Sequence, residues 1–359
     1  MNSGVVRLKL KEKLKAAACV TLSCLICVFA FFCVYKSVGR CIDVSGTATL
    51  LAAFSVMPDG KFTQSEKSEK PSSDKPKNSS KKTDENTTKA VARNTSKTDE
   101  KTYHISEVDL SGGGVQYKNF SISNSTSYDI DVDKMLESEL PFEIKDTHQA
   151  QVLIVHTHTC ESYMDRDNGF YYESFYPRTT DKEKNVIAVG EAISNSLKAQ
   201  GIGVVHATVL HDDPSYDGAY DRSYATIMKY LKKYKEIKVV LDIHRDSMTQ
   251  DDMTRLKPTF TYNGKKAAQI MIMTGHDDSL LEFPFWEDNL NFALKLQSAC
   301  ETMYKGFTRP LNFGDFTYNM NVNTGSLLIE VGTDANTLDE AVRSGEMLGN
   351  ALAQVLQKS

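Results

Sequence analysis

Cysteine is scarce in most of this chain. Of its 7 cysteines, only Cys160 and Cys300 lie beyond residue 41, and no Cys-x-x-Cys pair occurs in that part. A secreted scaffold held by disulfides would carry more cysteines at close spacing, so the composition excludes that class of protein. Zinc held by thiolates is also disfavoured, because such sites place cysteines in closely spaced pairs.

The chain also lacks the features of a nucleic-acid-binding protein. Its net charge is −5 at pH 7, and it has no basic arm and no basic patch interleaved with aromatic residues. Such patches supply the positive field on which binding to nucleic acid depends. Nucleic acid is therefore not expected as a partner. The sequence shows no internal repeat, which excludes a repeat architecture.

The N-terminal part has the composition of a membrane attachment. Residues 16–35 are uncharged and mostly apolar, and a run of about 20 such residues can span a bilayer as a helix. A cleaved signal peptide would have a shorter apolar region and a small-residue cleavage site, whereas this run ends in Val34 and Tyr35 and is followed by Lys36. The basic tail at 1–15 predicts a cytoplasmic N-terminus, with the rest of the chain outside a cell membrane that it crosses once.

A linker and one large domain are expected to follow the attachment. We predict a disordered linker at 36–102, because residues 60–101 are mostly polar and charged and cannot bury enough apolar area to offset their chain entropy. Residues 103–150 predict a lead-in of short strands or a loose collar, with a Ser-Gly-Gly-Gly turn at Ser111. The main domain is expected over 151–359.

Strands alternate with helices in the main domain. The predicted strands cover 203–210, 237–244, 270–274 and 327–331, and the predicted helices cover 222–235, 287–304 and the stretches that follow Glu183 and Glu340. The Thr-x-x-Glu sequences at 180–183 and 337–340 fit capping boxes at the starts of two helices. This alternation predicts an α/β protein with a mixed, mostly parallel sheet and helices on both faces.

Three apolar runs end in residues that can bind a metal or move a proton. The runs and the polar residues after them are 152–155 with His156, His158 and Glu161, 239–243 with His244, Arg245 and Asp246, and 326–329 with Glu330. Ligand sites of open α/β sheets form at the carboxyl ends of strands. Imidazoles and carboxylates brought to one such edge are the groups that a metal hydrolase uses.

The histidines are candidate zinc ligands. His244 is the best single candidate, because a strand delivers it to the sheet edge; the alternative is a core histidine beside a surface pair of Arg245 and Asp246. His156 and His158 are two residues apart, and only one of them needs to face a metal. We slightly favour His158 as the ligand, with His156 as its hydrogen-bonding neighbour, and the reverse assignment stays open.

Several carboxylates compete for the remaining roles. Glu161, Glu173 and Glu183 are candidates for the third ligand; Glu183 also has a simple explanation as a capping residue, and Glu161 is compatible by its spacing from His158. Glu330 lies in an apolar run, where an isolated carboxylate is costly unless it is paired or functional. It is therefore the candidate general base, although a structural pair with an arginine would also explain it.

These motifs resemble the stage II sporulation protein P family of peptidoglycan hydrolases. The resemblance covers about Val115 to the end. It is carried by His-Thr-His-Thr-Cys-Glu-Ser-Tyr at 156–163, the stretch 184–193, Ser-Tyr at 223–224, Leu-Asp-Ile-His-Arg-Asp-Ser at 241–247 and Leu-Ile-Glu-Val-Gly at 328–332. The family looks related to zinc-dependent N-acetylmuramoyl-L-alanine amidases, which implies an amidase type 3-like fold. The pattern of those amidases restores Glu183 as a ligand, with His158 or His156, His244 and Glu330 in the other places.

The resemblance also implies an activity, a setting and partners. It implies cleavage between the muramic acid lactyl group and L-alanine, with some cleavage of peptide cross-links, during sporulation engulfment. Stage II sporulation proteins D and M are the implied partners. The chain lacks the Gly-Gly that follows the first histidine of type 3 amidases, so the choice between His156 and His158 stays open.

The leading hypothesis is therefore a membrane-anchored zinc amidase of the cell wall. Zinc is expected at His158 or His156, Glu183 or Glu161, and His244, with Glu330 as base and then acid and with Arg245 orienting a substrate carboxylate or the oxyanion. One alternative is a non-catalytic peptidoglycan-binding or scaffold module, although both histidine motifs and Glu330 are intact. Another is a metallopeptidase that acts on proteins.

Overall fold

The computed structural model describes residues 100–145, 149–277 and 281–358. The predicted basic tail and membrane helix, and the predicted linker up to residue 99, lie outside the described residues. Within the described ranges, no helix is both long enough and apolar enough to cross a membrane. All described residues fall in one compact unit.

Twelve strands and five helices make up the described fold. The strands are β1 (Thr102–Val108), β2 (Val115–Tyr117), β3 (Phe120–Asn124), β4 (Val152–Val155), β5 (Phe170–Tyr172), β6 (Val204–His206), β7 (Val239–Asp246), β8 (Arg255–Tyr262), β9 (Lys265–Ala268), β10 (Ile270–Gly275), β11 (Leu311–Gly314) and β12 (Ser326–Thr333). The helices are α1 (Val132–Glu137), α2 (Val186–Ala199), α3 (Ala219–Lys233), α4 (Trp286–Met303) and α5 (Leu338–Leu356), with a 3-10 turn at Met320–Val322.

The strands form a large mixed sheet and a small one. The large sheet has the order β2-β3-β11-β10-β12-β7-β4-β6, and the small sheet has the order β5-β1-β8-β9. Neighbours in the large sheet are parallel except for β2 with β3 and β10 with β12. The predicted mixed, mostly parallel α/β sheet is confirmed.

Helices cover both faces of the large sheet. One face packs against α2, α4 and α5 through a large apolar core that includes Ile193, Leu241 and Leu352. The other face carries a smaller cluster in which Ile227 of α3 packs with Val155. Covering both faces explains why the central strands consist mostly of apolar residues before their polar ends.

The register of the central strands sets the position of the polar residues at their ends. β4, β7 and β12 are parallel, with Val155 opposite Asp242 and Glu330 opposite His244. The segment after β4, the end of β7 and the end of β12 therefore meet at one edge of the sheet. This edge is the one at which the sequence predicts a site.

Local signals were right at one helix start and wrong at another. Thr337 and Glu340 form the predicted capping box of α5. The box predicted at Thr180 and Glu183 is wrong, because α2 begins later and is capped by Asn185, whose side chain accepts a hydrogen bond from the Ile187 N–H. Asn is as good an N-cap as Thr, and here it lies directly before the apolar face of the helix.

Two other parts of the fold differ from the sequence prediction. The strand predicted at 203–210 is limited to Val204–His206. The hairpin of β8 and β9 was not predicted, although Asn263 and Gly264 between the two strands have φ values of 50° and 74° and form the two-residue turn that favours hairpins. In the lead-in, β3 pairs in parallel with β11 and β2 pairs with β3, so this segment contributes two strands to the large sheet.

A buried lysine joins the small sheet to α5. Lys257 of β8 is 1% exposed at its side chain, and its Nζ lies 2.9 Å from Asp167, 3.0 Å from Glu107 and 3.1 Å from Glu340. Burial alone would lower the pKa of Lys257, but the carboxylates outweigh it and raise the pKa above its usual value. The lysine therefore stays charged and connects β1, the segment before β5 and the first turn of α5.

Candidate active site

His244 lies between two carboxylates at the end of β7. Its Nδ1 is 3.5 Å from Glu161 Oε2, and its Nε2 is 3.0 Å from Asp242 Oδ1, outside hydrogen-bond geometry. The ring is 1% exposed. Burial alone would lower the pKa of His244, but the Asp242 and Glu161 carboxylates outweigh it and raise the pKa well above its usual value. The two carboxylates therefore favour the protonated ring while no metal is bound, and a metal that binds His244 would displace a proton from it.

His158 reaches the same place from the segment after β4. Its ring centroid lies 5.3 Å from that of His244, and the ring stacks on Tyr216 at 4.2 Å. Both ring nitrogens are buried, and neither has a hydrogen-bond partner among the described residues. Burial lowers the pKa of His158 to about 4, so the imidazole is neutral at pH 7. A neutral imidazole with an uncommitted nitrogen is the form that binds a metal.

His156 is committed to the packing beneath the site. Its Nδ1 lies 2.8 Å from the Ile243 carbonyl oxygen, and its Nε2 lies 2.8 Å from His206 Nε2. Gly190 of α2 makes room for this pair, since a Cβ there would stand 2.6 Å from His156 Nε2. The structure thus brings His158, and not His156, to His244, and the choice of His158 as a metal ligand stays a prediction.

Glu161 and Arg245 are linked to one another and to the loop after His158. The Glu161 carboxylate accepts a hydrogen bond from the Arg245 backbone N–H at 3.1 Å. Burial would raise the pKa of Glu161, but the hydrogen bond with His244 and the charge of Arg245 outweigh it and lower the pKa to about 2. The Arg245 guanidinium donates to the carbonyl oxygens of Ser162, at 3.2 Å, and Pro177, at 2.7 Å. Arg245 is thus engaged in fixing this loop, and the structure does not place it as the sequence hypothesis of a substrate contact required.

Glu183 lies apart from the cluster. Glu183 is exposed, and its backbone N–H donates a hydrogen bond to Asp181 Oδ1 at 3.1 Å in the turn before α2. Of the carboxylates that competed for the third ligand position, the structure brings Glu161 to His244 and leaves Glu183 at the surface.

Glu330 completes the cluster from β12. It is 4% exposed, and its Oε2 has no hydrogen-bond partner in the part of the chain that is described. Burial raises the pKa of Glu330 to about 8. Two residues beyond His244 on β7, Asp246 is held by Arg309 at 2.8 Å and is one of the charges that act on Glu330. Glu330 can therefore hold or release a proton near neutral pH, which suits general acid–base chemistry.

Sequence reasoning missed two members of the cluster. Asp242 accepts hydrogen bonds from the Thr157 N–H at 2.8 Å and the Thr157 hydroxyl at 2.5 Å, and a charged residue inside the apolar run of β7 was the signal that could have found it. Tyr220, in the first turn of α3, meets the His158 ring edge-on at 5.4 Å. Nothing in the local sequence distinguishes Tyr220 from other helical tyrosines.

The unbonded atoms of the cluster fit a cation, although the side chains as they stand do not enclose one. Within residues 100–145, 149–277 and 281–358, no group of three or more His, Cys, Asp or Glu side chains could hold a metal ion. Yet both nitrogens of His158, Nε2 of His244 and Oε2 of Glu330 are buried without hydrogen bonds there. Leaving so many buried polar atoms unsatisfied is costly, and imidazole with carboxylate is a donor set that zinc accepts.

Replacing Glu330 should change how stability depends on pH. Its folded-state pKa of about 8 lies above the ordinary 4.5, so its contribution to stability is present below about pH 4.5 and is lost as pH rises through 8. In metal-free protein, Glu330→Gln should therefore be more stable than wild type at pH 8, by on the order of a few kcal/mol, with little difference at pH 4.5. Denaturant unfolding in chelator at the two pH values measures this. Equal pH dependence in the two proteins would contradict it.

Fold and site together define a class: an α/β protein with a buried histidine–carboxylate centre at the carboxyl edge of its sheet. The profile of the family "Stage II sporulation protein P (SpoIIP)" matches residues 44–353. The chain belongs to this family. It is 28% identical over 218 residues to stage II sporulation protein P of Bacillus subtilis (strain 168), which is 58% of this chain and 50% of the relative. The chain thus spans about half the length of this curated relative.

Among solved structures, the fold is similar to those of several amidases. One is the N-acetylmuramoyl-L-alanine amidase AmiC2 of Nostoc punctiforme, at 13% identity and a TM-score of 0.34, with 60% of this chain and 98% of that chain covered. Another is the CwlD amidase from Clostridioides difficile in complex with the GerS lipoprotein, at 12% identity and a TM-score of 0.35, with 58% and 97% covered.

Proposed function

We propose that this protein is a zinc-dependent N-acetylmuramoyl-L-alanine amidase that acts on peptidoglycan. The observation that carries the proposal is the buried pair of imidazoles, His158 and His244, beside Glu330, with ring nitrogens and a carboxylate oxygen that have no hydrogen bonds among the described residues. Membership of the sporulation family supports the cell wall as the substrate. Cleavage of peptide cross-links, which the resemblance also implies, would use the same residues.

His158, His244 and Glu161 are the residues that would hold the zinc ion. His158 offers a neutral imidazole, and Glu161 is the carboxylate that faces Nδ1 of His244, whereas Asp242 faces Nε2. The donor of His244 to a metal shared with Glu161 would therefore be Nδ1. Bound zinc lowers the pKa of water to about 7 and polarises a carbonyl group. Thr157 holds Asp242 beside His244, and this arrangement would fix the orientation of the His244 ring.

Glu330 would move the proton. Its carboxylate takes a proton from the attacking water and then gives it to the alanine nitrogen as the amide bond breaks. The same residue serves as base and then acid, so one proton is carried and none is left on the enzyme. A position beside His244, set by the register of β12 with β7, supports this role.

We further propose that the domain acts at the cell wall during engulfment, attached to the cell membrane by the helix predicted at 16–35. The uncharged run and the basic tail before it support the attachment. The family resemblance supports stage II sporulation proteins D and M as partners.

Product analysis tests the function. The full-length chain, purified in detergent with zinc, would be incubated with purified murein, and the released fragments would be identified by mass spectrometry. We expect free stem peptides that begin with L-alanine. Binding of murein without product would favour the non-catalytic module, proteolysis of casein would favour a metallopeptidase, and undiminished release by the His244→Ala, Glu330→Ala double variant would refute the mechanism.

A pair of isosteric substitutions tests the third ligand. Glu161→Gln should lower kcat/KM by at least about 100-fold and lower zinc content, because the buried carboxylate in contact with His244 is lost. Glu183→Gln is the matched comparison and should stay within about twofold, since Glu183 is exposed. Amidase assays and elemental analysis of both variants decide the question. Loss of zinc from Glu183→Gln alone would reverse the assignment.

A further inference from the structure

The Tyr220 hydroxyl is buried at the candidate active site without a hydrogen-bond partner among the described residues. Buried hydroxyl groups in native proteins nearly always have a partner, so an unsatisfied one requires an explanation. The ring of Tyr220 meets His158 edge-on at 5.4 Å, which places it beside one of the two imidazoles. Burial, and after it the charges of Asp242 and Glu330, raises the pKa of Tyr220 well above its usual value.

The rest of Tyr220 is held firmly. Its carbonyl oxygen accepts hydrogen bonds from Asn319 Nδ2 and from the Ser223 hydroxyl, both at 3.0 Å. Its ring lies 5.4 Å from that of Tyr318, in the loop between β11 and the 3-10 turn. The backbone and the ring of Tyr220 are thus fixed by contacts, whereas its hydroxyl group has no hydrogen bond among the described residues. This arrangement suits a hydroxyl group that binds a ligand.

The loop that holds Tyr220 has a strained backbone. Tyr318 and Asn319 are consecutive non-glycine residues with φ values of 39° and 59°. Such conformations cost free energy and persist where the surroundings enforce them, often at functional sites. Here the Asn319 side chain enforces them through its bonds to Tyr220 and to Ser223. Asn319 is thus a positioning residue for Tyr220.

We propose that Tyr220 is a catalytic residue whose hydroxyl donates a hydrogen bond to the carbonyl oxygen of the scissile amide. This inference rests on the proposed amidase function. As the water oxygen bonds to the carbonyl carbon, the π electrons of the C=O bond move to its oxygen, and the Tyr220 O–H stabilises the charge that develops there. The water proton travels through Glu330 to the leaving nitrogen as the C–N bond breaks. The Tyr220 proton stays on its own oxygen throughout.

The chemistry of the neighbouring groups favours this role. Asp242, Glu161 and Glu330 are carboxyl groups that would repel a developing oxyanion when ionised. The hydroxyl of Tyr220 is a neutral donor, and all three carboxyl groups are among the charges that act on it. A preorganised donor of this kind typically contributes about 10²- to 10³-fold to kcat.

The test is the Tyr220→Phe variant of the full-length, zinc-loaded chain. It keeps the ring and removes the donor. We expect kcat on murein to fall by about 100-fold, KM to stay within about twofold and zinc content to remain unchanged. We also expect the midpoint of thermal unfolding of the metal-free protein to stay the same or rise, because an unsatisfied buried hydroxyl is removed.

Tyr171→Phe is the matched control. The Tyr171 hydroxyl donates to the Met253 carbonyl oxygen at 2.7 Å in the small sheet. This variant should lower the midpoint of unfolding and leave kcat unchanged.

Each outcome separates the inference from the function beneath it. If wild type releases stem peptides and Tyr220→Phe retains full kcat, the assignment of Tyr220 is wrong and the amidase function stands. If Tyr220→Phe loses as much stability as Tyr171→Phe, the hydroxyl has a structural partner and the assignment is again wrong. If wild type releases no product, the proposed function fails and this assignment fails with it.

Discussion

The His158→Ala variant should lose its bound zinc and retain less than about a thousandth of the amidase activity. A metal contributes several kcal/mol of transition-state stabilisation, and each 1.36 kcal/mol is worth a factor of ten in rate. His158 is the ligand candidate whose two nitrogens have no hydrogen bond among the described residues. Zinc content by elemental analysis and stem-peptide release from murein measure the two effects.

Two other histidines serve as comparisons for this result. His156→Ala removes the bonds to Ile243 and His206, so it should lower stability while the protein that remains folded still binds zinc. His104→Ala changes an exposed residue of β1 and should have no effect on either quantity. Loss of zinc from His156→Ala, with zinc retained in His158→Ala, would reverse the assignment of the two residues.

The Lys257→Ala variant should be less stable than wild type by about 3–5 kcal/mol, which is the usual cost of removing one partner from a buried ion pair. Its side chain is 1% exposed, and Glu340, whose side chain is 6% exposed, would lose its counter-charge at the start of α5. Glu107 and Asp167 are more than 40% exposed, so water can solvate them after the change. Denaturant unfolding at pH 7 measures the difference.

Lys266→Ala is the control for this prediction. Lys266 contacts the same two exposed carboxylates, Glu107 and Asp167, but its side chain is 46% exposed. Exposed ion pairs contribute about 0–1 kcal/mol, so this variant should remain close to wild type. Similar losses in both variants would show that the burial of Lys257 does not determine its contribution.

The central strands were predicted well from the sequence, because strands that are buried on both faces have a nearly continuous run of apolar residues. The runs that became β7 and β12 are apolar nearly throughout, and the polar residues after them could only lie at a sheet edge. The register that places Glu330 beside His244 then follows from parallel pairing. This much of the cluster was accessible from local patterns.

The remaining parts of the site depend on tertiary contacts that no local pattern encodes. Arg245 follows His244 directly, and adjacent residues of a strand point to opposite faces, so the Arg245 side chain leaves β7 on the face opposite to His244. The partners of Arg245 are carbonyl oxygens of the loop after Glu161. Tyr220 reaches the site because α3 packs across β4, a contact between separate segments that periodicity does not reveal.

The placement of the site across three parallel strands also bears on when it forms during folding. Thr157 and Asp242, which meet in the site, are 85 residues apart in the chain, and Glu330 comes from a third strand far beyond them. Closing such long loops costs entropy before any contact repays it, so pairings of this kind form late and slowly. A nascent or partly folded chain therefore has no assembled centre. If the centre is that of a wall hydrolase, the protein becomes active only after β12 has paired with β7. Incompletely folded protein would then not cleave the cell wall.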